Sequence, residues 1–152
     1  MEKTIPGKTF LLVTGIISTI WGVGSALIGA SSISSIALLN GDSPTAVTMR
    51  QVMAESGTTQ ADIMRSGVIA IIMGILYLFV GIIGIMFSKK VQKAQICFIA
   101  ALITIAAILI NAVISAVTGS YNVVLVVISL VVPLFYLWGA MQNKQAAEIK
   151  AS

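Results

Sequence analysis

Histidine is missing from the sequence, and cysteine occurs once, at Cys97. A lone cysteine excludes an intrachain disulfide. One Cys without His leaves no ligand set for a zinc, haem or iron–sulfur centre, so no metal and no cofactor are expected. Charge is almost as scarce. Asp, Glu, Lys and Arg make up 9% of the 152 residues, whereas about a quarter is usual in a soluble domain. Hydrophobic residues fill 58% instead. No phosphate-binding loop appears; the glycines of the long apolar runs follow helical spacing. The Ser–His, paired-Asp and metal motifs of intramembrane proteolysis are missing too, so no catalytic residue is expected and the chain reads as a non-enzyme.

What is present is apolar length. A helix rises about 1.5 Å per residue, so roughly 20 apolar residues cross a bilayer core. Four runs reach that length: about 10–39, 63–87, 94–117 and 121–141. None carries a charge except Arg65, at the lip of the second. The first run is too long for a signal-peptide core and three more follow it, so it reads as a retained span. The expectation is an all-α membrane protein, a single four-helix transmembrane bundle over residues 1–152.

Orientation follows from the basic residues. Lys3 and Lys8 precede the first span, Lys89, Lys90 and Lys93 fill the second link, and Lys144 and Lys150 follow the last. Of nine Lys and Arg, only Arg50 and Arg65 fall on the other face, beside Asp42, Glu55 and Asp62. Both termini are therefore expected in the cytoplasm, in a multi-pass protein of the cell membrane. The net charge of +4 is this positive-inside signal and calls for no nucleic acid. Phe10, Phe87, Phe98, Phe135, Tyr136 and Trp138 cluster near the same ends as an aromatic belt, with Tyr121 at the outer interface, while Trp21 falls near mid-bilayer.

The outer loop, 40–62, reads as a short amphipathic helix. Ser43 and Pro44 suit its start and Gly57 its end. Thr59 and Asp62 have the spacing of a capping box opening the second span. The last outer link, Thr118-Gly119-Ser120, reads as a tight turn.

Within the spans, small residues recur at steps of three and four. The first carries Gly15, Ser18, Gly22, Ser25, Gly29 and Ser32; the second carries Gly67, Ala70, Gly74, Tyr77, Gly81 and Gly84. In lipid, small residues join helices by letting backbones approach closely. The expected register pairs Gly15 with Gly84, Ser25 with Gly74 and Ser32 with Gly67. Tyr77 then lies over Gly22, its phenol near the Ser18 hydroxyl.

Ionisable residues at depth usually mark transport pathways, and here the spans have none. That separates the chain from the small multidrug exporters, which carry an essential glutamate in their first helix. The remaining polar groups are neutral. Thr104, Asn111, Ser115 and Thr118 form a stripe on the third span, and Ser32, Asn111 and Ser115 are the candidate lining of a polar cleft. Pro133 removes a helical hydrogen bond and frees the Ser129 carbonyl.

Lysines near the start, a Gly-rich first span, one long outer loop, the Lys89-Lys90 link and a tight last turn together resemble small uncharacterised bacterial four-helix membrane proteins of the domain-of-unknown-function kind. The small-residue seams and four-span plan are more loosely similar to CD20-like tetraspan proteins. Claudins fit poorly, since their outer-loop Trp and Cys pattern is missing. These resemblances imply a fold and no activity. The functional expectation is a non-enzymatic membrane protein working through helix–helix or partner contacts, as an accessory subunit, scaffold or immunity-type protein. Its partners would be membrane lipid, a second copy or another membrane protein. The alternative is a small oligomeric channel or transporter without proton-carrying residues in the membrane.

Overall fold

The computed structural model describes residues 7–117 and 122–151, except the side chains of residues 150 and 151. Lys3, the Thr118-Gly119-Ser120 turn, Tyr121 and the Lys150 side chain lie outside the described residues. The described residues form helices α1 (Lys8–Leu39), α2 (Pro44–Ser56), α3 (Gln60–Phe87), α4 (Ala94–Val117) and α5 (Val123–Ala151), with a 3-10 turn at Val91–Lys93 and no strand.

The helix ends follow from local chemistry. Ser43 caps α2 by accepting from the Ala46 N–H at 3.2 Å, and Pro44 takes the first helical position. Gly57 ends α2 with a left-handed φ of 66°, donating to the Met53 carbonyl. Thr59 and Asp62 form a reciprocal capping box: the Thr59 N–H donates to Asp62 Oδ2 at 3.0 Å, and the Asp62 N–H donates to Thr59 Oγ1 at 3.2 Å. This box opens α3 at Gln60, ahead of the apolar run. Asn122 accepts from the Val124 and Leu125 amides and sets the start of α5 at Val123.

The largest departure from expectation is at the other end of α5. The helix was expected to stop near Met141 but continues to Ala151. No Gly or Pro interrupts it after Gly139, and Gln145, Ala146, Ala147 and Glu148 are good helix formers. Lys144 therefore sits inside a helix rather than beyond one.

Helices α1, α3, α4 and α5 are long and apolar enough to cross a membrane. Between 22% and 33% of each apolar window is buried, so most of it faces outward. Ile20, Leu27, Ile72, Phe79, Ile110 and Val124 are among the many large exposed apolar side chains. Soluble monomers rarely expose contiguous apolar patches beyond a few hundred Å². A lipid surrounding makes this surface favourable, and the chain is read accordingly as a multi-pass membrane protein.

The contacts divide the chain into two compact units: Met1–Trp21 with Leu76–Ser152, and Gly22–Ile75. In the first, all four long helices contribute to one core. Leu11 comes from α1, Val80 from α3, Cys97 and Ala101 from α4, and Tyr136 and Ala140 from α5. Small buried residues on α4 (Ala94, Cys97, Ala101, Thr104) recur at steps of three and four and let α5 pack closely. The second unit holds the rest of α1, all of α2 and the start of α3. Arg50 of α2 donates to the Leu39 carbonyl at 2.9 Å, meeting an orphan acceptor at the α1 C-terminus.

Candidate functional site

Three arrangements stand out, the first of them at the lysine-rich end of the first unit. Asn143 is fully buried. Its Oδ1 accepts from the Gly7 N–H at 2.9 Å, and its Nδ2 donates to the Ser88 carbonyl at 3.4 Å. One amide thus ties the start of α1, the end of α3 and the C-terminal part of α5. The residues following these three in sequence are Lys8, Lys144 and Lys89. The clamp therefore gathers the three lysine-bearing segments at one end. Gly7 and Gly139 approach so closely that a Cβ on Gly7 would overlap the Gly139 carbonyl. Nearby, the Lys144 ammonium lies 5.5 Å from the Phe98 ring centre and Lys90 lies 5.7 Å from Phe87. Phe10 stacks on Trp138 at 6.0 Å.

The second arrangement is the α1–α3 approach. In the first unit, a Cβ on Gly15 would lie 2.9 Å from the Gly81 carbonyl and 3.1 Å from the Ile85 nitrogen. Gly84 meets the Leu11 carbonyl and the Tyr136 ring, not Gly15. Tyr136 donates its hydroxyl to the Val80 carbonyl at 3.1 Å. In the second unit, Gly74 fits against Gly22 and Ala26, and Gly67 against Gly29, Ile33 and Ser32. Ser25 and Ala70 are half-buried. Ser32 meets Gly67 as expected, whereas Gly15 packs on Gly81 and Ile85 rather than Gly84, and Gly74 packs on Gly22 and Ala26. Gly15, Gly29, Gly67, Gly74 and Gly81 each sit between two partners one turn apart, as ridge-into-groove packing requires.

Small residues also mark the outward face of α1. Gly24, Ser31 and Ser34 share a stripe at steps of three and four with the larger, exposed Leu27 and Leu38, flanked by the exposed Ala30 and Ala37. A Cβ on Gly24 would meet nothing within 4 Å. Ser31 and Ser34 donate to the Ile28 and Ala30 carbonyls, so neither leaves a hydroxyl proton unused. This face was missed in the sequence because its neighbouring stripe, Gly15 to Ser32, has the same spacing and more glycine.

The residues expected to line a polar cleft are distributed over both units. Asn111 and Ser115 are half-buried on α4 in the first unit, one turn apart. Ser32 belongs to the second and donates to the Ile28 carbonyl at 2.9 Å. Thr104 is buried and donates to the Ala100 carbonyl.

The third arrangement is a cavity of about 210 Å³ in the first unit, bounded by α1, α3 and α5. Ile17, Ser18, Trp21, Tyr77, Ser129 and Val132 are among its walls. Tyr77 is 6% exposed and Ser18 3%. The expected hydrogen bond between their hydroxyls is not formed among the described residues, although both groups face the same space. Trp21, half exposed, closes one side. Ser129 donates to the Leu125 carbonyl at 2.8 Å, and Pro133 deprives its own carbonyl of the helical donor. A second cavity of about 390 Å³ shares Ile17, Val131 and Val132 with the first and runs on to Thr9, Phe10 and Phe135.

Among the described residues, no group of three His, Cys, Asp or Glu can hold a metal. Cys97 is buried in the core of the first unit. No protein-family model, curated protein or solved structure matches the chain.

Proposed function

We propose that this chain is a non-enzymatic protein of the cell membrane that works by helix-to-helix contact, as an accessory subunit, scaffold or immunity-type protein. The observation that carries the reading is the outward face of α1. Gly24, Ser31 and Ser34, flanked by Ala30 and Ala37, set small side chains among the bulkier exposed Leu27 and Leu38, opening recesses along the helix. Small residues allow a second helix to approach its backbone, and close packing is what associates helices in lipid. Both termini are cytoplasmic in this reading. Its support is the Asn143 clamp, which draws together segments bearing Lys8, Lys89 and Lys144.

Purification in mild detergent tests the proposal. The expected product is a stoichiometric complex with a membrane partner or a second copy. A lone, monodisperse monomer contradicts it. Solute or ion flux in liposomes that disappears in Asn111→Leu would replace it with conduction through an oligomer.

A further inference from the structure

We propose that the cavity beside Tyr77 is a binding site for a neutral amphiphile, a molecule with one uncharged hydroxyl or carbonyl group on an apolar body. Two hydroxyls, on Ser18 and Tyr77, belong to side chains more than nine-tenths buried and have no hydrogen-bond partner among the described residues. Every fully enclosed side-chain N or O atom among the described residues does have a partner, so these two oxygens face open space. Polar groups left unpaired in an apolar surrounding are costly. Ser129, whose carbonyl has lost its helical donor to Pro133, stands on the opposite wall. The site therefore offers two unpaired hydroxyls in an otherwise apolar, partly open cavity.

Size and charge narrow the occupant. An apolar cavity of about 150 Å³ holds a benzene molecule, so 210 Å³ admits a ring or a short branched head. Among the described residues, no charged side chain lines either cavity, which disfavours a phosphate or ammonium head. The shared walls Ile17, Val131 and Val132 continue the space toward Phe10 and Phe135, giving an apolar tail a path along α1 and α5. The head sits between Ser18 and Tyr77, against the Trp21 ring.

Trp21 provides the reporter, because Trp138 is the only other tryptophan. The chain carrying Trp138→Phe, in lipid nanodiscs, is titrated with 2-bromododecan-1-ol and, separately, with 2-bromododecane. Bromine quenches a nearby indole. The alcohol is expected to give saturable quenching of Trp21, and the alkane only a weak, linear decrease from partitioning. Replacing Ser18→Ala with Tyr77→Phe removes both hydroxyls without adding bulk and is expected to weaken alcohol binding about tenfold. Linear, equal quenching by the two probes overturns the proposal. So does saturable alcohol binding that is unchanged in the double variant when circular dichroism shows it folded. Should that variant not fold, the comparison of alcohol with alkane in the parent chain still decides.

Discussion

Alanine placed at two glycines of α1 should change stability in opposite directions. At Gly29, the new Cβ would lie 2.5 Å from the Gly67 carbonyl and 2.9 Å from the Ile71 nitrogen. Both are backbone atoms, so no side-chain rotation relieves the overlap and α1 and α3 must separate. Overpacking of this kind costs about 1–3 kcal/mol. At Gly24, nothing lies within 4 Å of the new atom. There the main effect is the smaller conformational freedom of alanine in the unfolded chain, a gain of about 0.4–1 kcal/mol. The two variants should then differ by roughly 1.5–4 kcal/mol, although both make the same chemical change in the same helix. Unfolding in mixed micelles with increasing dodecyl sulfate, followed by tryptophan fluorescence, measures the difference. Equal midpoints for Gly24→Ala and Gly29→Ala would refute the claim that α1 and α3 are held by close glycine contact.

Other expectations follow from the clamp and the topology. Asn143→Leu leaves the Gly7 N–H buried without its partner and should cost about 1–3 kcal/mol, measured by the same unfolding assay. Tyr136→Phe removes a second hydrogen bond to Val80 and should cost less, about 0.6 kcal/mol, the average for such bonds between membrane helices. In a Cys97→Ala background, cysteines at Lys89 and Glu148 should both react with an impermeant maleimide only from the cytoplasmic side, and one at Glu55 only from outside. Labelling of Lys89→Cys and Glu148→Cys from opposite sides would contradict a common side for these ends.

The spans were legible because lipid imposes length and apolarity, which composition shows directly. The short α2 was legible from its chemistry, since Ser43, Pro44 and Gly57 each have one favoured place at a helix end. The α1–α3 approach could be read from glycine spacing, but its register only in part: Ser32 meets Gly67, while Gly15 and Gly84 each meet other residues. Spacing says which residues share a face; it does not say whether a glycine meets its counterpart or the groove between two neighbours. Alanine hid the α4 seam, because Ala101 in a tight interface and Ala106 facing outward look alike in an apolar run. Asn143 was missed for the opposite reason. A polar residue beyond the apolar run reads as tail, and only the continued α5 brings it over Gly7 and Ser88. Of the three residues considered for a polar cleft, Asn111 and Ser115 are neighbours on α4, while Ser32 belongs to the other unit. The nearness of Ser18 and Tyr77 was legible from the exception in the glycine stripe, but the open space they share was not.

The proposal that the chain works by helix contact is tested most directly at the outward face of α1. A photo-reactive residue introduced at Ser34 and, separately, at the exposed Phe79 of α3 should be illuminated in native membranes. The account predicts one discrete cross-linked product from position 34, containing a second copy or one membrane partner, and only lipid adducts from position 79. Lipid adducts alone from both positions, or the same protein products from both, would contradict it.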